Sequence, residues 1–223
     1  MMAKKVLMVV TSADKMTDGH PTGLWLSEFA EPYTEFKQAG YEVTVASPRG
    51  GQAPIDERSV QNGELNQWPE AVEILKQTIP LSQVSASDYD AIFLPGGHGT
   101  MFDFPDSAEL QALIRTFAES GKVVAAVCHG PAGLVNVRLS NGDPLVKGKR
   151  VTAFTDEEER AVKLDDKVPF MLETRLRELG AQFVAQPMWS DHVERDGNLI
   201  TGQNPQSGIS AAKAVIQALE ESH

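Results

Sequence analysis

The segment Lys122-Val123-Val124-Ala125-Ala126-Val127-Cys128-His129-Gly130-Pro131 constrains this chain more than any other. Five small or β-branched apolar residues in a row read as a strand buried on both faces, as in a parallel sheet covered by helices. Gly130-Pro131 then ends the run, because glycine permits a sharp turn and proline suits the first turn of a helix. A strand that breaks into a helix at Cys128 has the form of a nucleophile elbow, with Ala126 where the first glycine usually stands. A thiol there meets the positive end of a helix dipole, which favours the thiolate. Stripped of context the same cysteine is an inert buried residue; the strand and the Cys-His-Gly-Pro turn favour a nucleophile.

The rest of the chain fits an α/β enzyme. Its 223 residues suit one domain spanning 1–223, and 41% hydrophobic residues supply a large core. Lys plus Arg is 20 against 31 for Asp plus Glu, giving a net charge of −11. That balance argues against nucleic acid or an anionic membrane as partner. One cysteine cannot form an internal disulfide, so the fold does not depend on an oxidising compartment. The run Val6–Val10 is too short for a signal peptide and no cleavage site follows it, so it reads as the first buried strand. No stretch approaches the ~20 apolar residues of a membrane span. A cytoplasmic location is the expectation.

Strand-like runs recur at Val6–Val10, Tyr41–Ala46, Ala91–Leu94, Val123–Val127, Val151–Phe154, Phe183–Val184 and Leu199–Ile200. Helical patterns lie between them. Asp106–Ser120 places Leu110, Leu113, Ile114 and Phe117 on one face, with Asp106 and Glu109 spaced as a capping box and Gly121 as the stop. Val168–Leu179 turns Leu172, Leu176 and Leu179 inward, and Gln206–Glu221 does the same with Ile209, Ala212, Ile216 and Leu219. Leu24–Ala39 is apolar but should kink or break at Pro32. The polar stretch Pro48–Asp88 reads as a surface excursion with a short helix around Trp68–Gln77, and Asp191–Asn198 as a hairpin with Asp-Gly at its tip. The alternation predicts a doubly wound three-layer sandwich on a mostly parallel central sheet.

Ligands bind at the carboxyl ends of such strands. After Ala91–Leu94 comes Pro95-Gly96-Gly97-His98-Gly99-Thr100, whose glycines can present amide N–H groups to an anion; the amides of Gly97 and His129 could form an oxyanion hole beside Cys128. A tight turn needing glycine explains the same residues equally well. Glu28 shares a helical face with Leu24 and Trp25, and a carboxylate on an apolar face is a candidate general acid or base. Phe154-Thr155-Asp156-Glu157-Glu158-Glu159-Arg160 lies after another strand. Thr155 and Glu158 can form a capping box, and one acid of the run could orient His129. Trp25, Trp68 and Trp189 read as core or pocket wall. The remaining histidines, His20, His98, His192 and His223, show no metal-ligand spacing, so no metal is expected.

Taken together, these strings resemble the ThiJ/PfpI superfamily within the class I glutamine-amidotransferase-like fold, and most closely its heat-shock-type glyoxalase III branch. The resemblance runs nearly the whole chain. It rests on Ala125–Ala132, Gly97–Asp103, Thr22-Gly23 through Glu28 to Pro32, Ala53–Asp56, Phe154–Asp156 and Leu199–Pro205. It implies Cys128 as nucleophile, Glu28 as the carboxyl facing its sulfur, His129 as acid/base, and Glu159 as the acid completing a Cys-His-Glu set. The intervening stretch is one residue shorter than in that branch, so Glu157 and Glu158 remain alternatives to Glu159. Trp25, His98 and Asp56 are the implied substrate-pocket residues. The implied activity is cofactor-free, glutathione-independent conversion of methylglyoxal, a small 2-oxoaldehyde, to lactate through a cysteine hemithioacetal. Action on glycated or unfolded proteins and a homodimeric state are further implications.

Two other classes use the same thiol. Glutamine amidohydrolysis or peptide hydrolysis needs a thiolate, a histidine base and an oxyanion hole; His192-Val193-Glu194 spells the amidotransferase pattern but falls in the expected hairpin. The other class is a redox sensor or a holdase chaperone; binding unfolded chains needs an exposed apolar patch, which the sequence does not locate.

Overall fold

The computed structural model describes residues 2–221; His223 lies outside them. The chain runs β1 (Lys5–Val9), α1 (Leu26–Gln38), β2 (Glu42–Ser47), α2 (Glu64–Gln67), α3 (Pro69–Leu75), β3 (Ile79–Pro80), β4 (Ala91–Leu94) and α4 (Thr100–Asp103). It continues through α5 (Ala108–Glu119), β5 (Val123–Val127), β6 (Arg150–Val151), α6 (Asp156–Ala161), α7 (Leu172–Glu178), β7 (Gln182–Phe183), β8 (Val193–Asp196), β9 (Leu199–Gly202) and α8 (Gly208–Glu221). Seven strands form one sheet in the order β3-β2-β1-β4-β5-β9-β8. Every neighbouring pair is parallel except β8–β9, a hairpin turning at Gly197, whose φ of 61° needs the expected glycine.

The period of two along each strand sorts the core into two layers. Val6 and Met8 of β1, Phe93 of β4 and Ala125 of β5 pack with Phe29 and Phe36 of α1 and Ala212 and Val215 of α8. Their neighbours Leu7, Val9, Ile92, Leu94, Val124 and Ala126 face Leu110, Ile114 and Phe117 of α5 on the other side. Each central strand is therefore buried on both faces, which is why the runs lack polar alternation.

Local expectations fail where packing overrides pattern. The helix α1 runs through Pro32 without a break, giving up the N–H that would have reached the Glu28 carbonyl. The cap of α5 is Ser107, whose hydroxyl accepts from the Leu110 N–H at 3.2 Å, instead of Asp106. α7 begins only at Leu172, since Pro169 disfavours helix at Val168. The buried face of α8 is Ala211, Ala212, Val215, Ala218 and Leu219, while Ile209 is exposed; small residues let α8 lie close against α1. The expected strands at Val151–Phe154 and Phe183–Val184 shrink to β6 and β7, which pair with each other outside the main sheet. β3 had no sequence signal: it is two residues long, on the sheet edge, and ends in Pro80.

Candidate active site

Strand β5 ends at Val127, and the next residue, Cys128, has φ 61°, a left-handed conformation that a non-glycine residue adopts only where its surroundings enforce it. Two hydrogen bonds hold it there: its N–H donates to the Gly202 carbonyl at 2.9 Å, and its carbonyl accepts from the Phe154 N–H at 2.9 Å. The elbow directs Sγ to within 3.5 Å of His129 Nδ1, so the two adjacent side chains meet instead of diverging. Beyond His129 the chain forms a five-residue 3-10 turn, Gly130–Leu134, not a long α-helix.

That corrects the expected thiolate. A short 3-10 turn carries little dipole, and Cys128 is 2% exposed. Burial pushes its thiol well above the usual range, and the carboxylates of Glu28, Glu158 and Glu159 add to the rise.

Glu28 stands in the first turn of α1, which begins at Leu26, so Trp25 is its cap and Leu24 precedes it; the three do not share a helical face. Its carboxyl is fully buried. Oε1 accepts from the Gly96 N–H at 2.9 Å, while Oε2 has no nitrogen or oxygen partner among the described residues. Burial pushes this carboxyl up to about 8, opposed by its interaction with the Cys128 side chain and the Gly96 N–H.

The loop after β4 is shaped by its glycines. Gly97 has φ 106°, and a Cβ there would sit 2.6 Å from Leu24 Cα and Trp25 N; one on Gly96 would sit 2.5 Å from Glu28 Oε1. The loop is tied to the start of α1 by the Trp25 N–H to Gly96 carbonyl bond. The N–H groups of Gly97 and His129 engage no acceptor among the described residues.

Of the three glutamates after β6, Glu159 is the one that reaches His129, its Oε2 lying 2.7 Å from Nε2. Its Oε1 lies 2.6 Å from His98 Nε2. Glu158 is occupied elsewhere: it completes the expected capping box with Thr155 and accepts from the Trp189 N–H and Asn204 Nδ2. Glu157 is exposed. Burial raises the Glu159 carboxyl, but His129 and then His98 outweigh it and hold the group well below the usual carboxylate range. Burial and the neighbouring His129 push His98 down to about 4. His98, His129 and Glu159 thus offer ligand atoms within 4.8 Å of one another, a cluster no sequence spacing shows because it draws on the loop after β4, the elbow after β5 and α6.

These groups open into a pocket of about 330 Å³, walled by Trp25, Phe154, Val162 and Trp189. His98 lines it, but both its ring nitrogens are engaged. Asp56 does not line it; buried behind the wall, it holds Arg58 through 3.0 and 2.5 Å contacts, and Arg58 is the residue that reaches the pocket. Arg58 was not legible in the sequence; its spacing two residues after Asp56 is the only signal. His192 lies outside the pocket lining, 3.1 Å from Glu194 Oε2 without hydrogen-bond geometry, on the hairpin side of the sheet.

The chain is similar to named proteins over nearly its whole length. Glyoxalase 3 of Candida albicans is 34% identical over 97% of this chain and 98% of its own. The glutathione-independent glyoxalase HSP31 of Saccharomyces cerevisiae is 35% identical over 99% and 100%. The crystal structure of glyoxalase III from Candida albicans superposes with a TM-score of 0.88 at 34% identity, covering 96% of this chain and 97% of that one. No helix among the described residues is long and apolar enough to cross a membrane. The DJ-1/PfpI family model matches residues 5–218, and the chain belongs to the DJ-1/PfpI family.

Proposed function

We propose that this protein is a glutathione-independent glyoxalase that converts methylglyoxal to lactate with Cys128 as nucleophile. The observation that carries the reading is the convergence on one sulfur of a buried carboxyl, Glu28, and a carboxylate-backed imidazole, His129. Relatives matched over nearly their whole length and named as glutathione-independent glyoxalases support it.

Because the resting group is a thiol, its proton passes to His129 Nδ1 as sulfur adds to the aldehyde carbon. The hemithioacetal oxygen is stabilised by the N–H groups of Gly97 and His129. Glu28, once ionised, removes the hydrogen on that carbon while His129 passes the thiol's proton to the neighbouring carbonyl oxygen, giving an enediolate; Glu28 then returns its proton to the neighbouring carbon. The product is a lactoyl thioester, which water cleaves to lactate and the free thiol. The apolar walls exclude bulk water during the proton transfer. A pocket of this size suits a small 2-oxoaldehyde.

The test is lactate formation from methylglyoxal without glutathione. Wild type should turn over, and Cys128→Ser should lose more than about 10³-fold in kcat. Equal rates in the two proteins would end the covalent mechanism.

A further inference from the structure

We propose that His98 is a positioning residue that fixes the protonation pattern of His129. The inference rests on reading His129 as the base for Cys128. It is built on a chain of contacts in which each donor and acceptor is determined by chemistry. Asp56, 3% exposed, grips Arg58 Nε and Nη2 and sets the guanidinium plane. Arg58 Nη2 lies 3.4 Å from His98 Nδ1. A guanidinium only donates, and two N–H groups would repel at that distance, so His98 Nδ1 is the lone-pair nitrogen and Nε2 carries the proton. Nε2 then donates to Glu159 Oε1 at 2.6 Å.

With Oε1 taken, the carboxylate presents Oε2 to His129 Nε2 at 2.7 Å, and accepts there as well. Neutral His129 therefore carries its proton on Nε2 and turns the Nδ1 lone pair towards Cys128 Sγ, 3.5 Å away. The rings reinforce the arrangement. The His98 ring packs against that of His129, tilted at 43° with centroids 3.9 Å apart, and Phe154 lies 4.4 Å away. His129 is thus held by both a hydrogen bond and its two ring neighbours. The low basicity of His98 keeps it neutral at physiological pH, where its role is to donate from one nitrogen and accept at the other.

The test uses the full chain. Nitrogen-15 NMR of wild type should show neutral His129 protonated at Nε2; protonation at Nδ1 instead overturns the inference. His98→Leu should slow iodoacetamide alkylation of Cys128 and lower kcat about 10- to 100-fold with little change in KM, and shift His129 towards a tautomer mixture. His98→Gln, which returns an N–H towards Glu159, should recover most of both rates. A folded His98→Leu with wild-type alkylation rate and His129 tautomer refutes the proposal, as does His98→Gln behaving no better than His98→Leu. If His98→Leu does not fold, the wild-type tautomer decides. Alkylation and tautomer do not depend on methylglyoxal, so wild type that makes no lactate yet shows both would end the glyoxalase reading and leave this one standing.

Discussion

Glu28 and Glu159 flank the same sulfur, and both are withdrawn from water, yet their carboxyl groups have opposite fates. Glu28 is met by one backbone N–H and the thiol, so burial dominates and the group is pushed up to about 8. Glu159 is met by two imidazole nitrogens at 2.6 and 2.7 Å, and they outweigh the same burial. The contrast shows that burial alone does not set a carboxyl's charge; the number and kind of donors aimed at it does. On the proposed mechanism it also divides labour at Cys128, with a proton carrier on one side and a fixed anion on the other.

The largest expected effect strikes the Glu28 side. Glu28→Gln should lower kcat by about 10²–10⁴-fold. The wild-type rate should rise with pH through about 8 as Glu28 ionises, and the variant should lack that rise. A pH–rate profile unchanged by the substitution would remove Glu28 from the chemistry. Glu159→Gln should cost less, about 10²-fold, because it misdirects His129 without removing a reacting group. A loss as great as that of Cys128→Ser would instead give Glu159 a direct part.

The smallest effects are on stability, and they should differ in sign. Folding raises the Glu28 carboxyl, so its contribution is full below about pH 4.5 and is lost as pH rises towards 8, by about 1.4 kcal/mol per pH unit. Glu28→Gln should therefore gain on wild type across that window. Folding lowers the Glu159 carboxyl, so its contribution is present above about pH 4.5 and lost as pH falls below it. Glu159→Gln should be less stable than wild type at pH 7 and approach it in acid. Urea midpoints at pH 4, 6 and 8 measure both; shifts of the same sign at pH 8 would dissolve the contrast.

Much of the fold is legible because burial on both faces of a parallel strand leaves a direct mark on the sequence. Val6–Val10, Ala91–Leu94 and Val123–Val127 stand within a residue of the observed strands, and Asp-Gly marks the β8–β9 turn. The phase of α8 and the cap of α5 escape the local pattern, since close approach of helices and a one-residue choice between Asp106 and Ser107 are settled by neighbours distant in the chain. Val151–Phe154 differs from expectation for a related reason. Its apolar residues are buried not by the sheet but by the elbow and the pocket, where the Phe154 N–H binds the Cys128 carbonyl.

Local sterics and burial, written in the order of residues alone, establish the α/β class, the glycine turn after β4 and the placement of a cysteine at a strand end. The charge and partners of the groups around that cysteine arise only in the folded molecule. Folding raises the thiol instead of ionising it, selects Glu159 over Glu158 by engaging Glu158 with Thr155, Trp189 and Asn204, and puts Arg58 behind His98. Electrostatics depend on distances between residues far apart in the chain, and those distances exist only once the chain has folded.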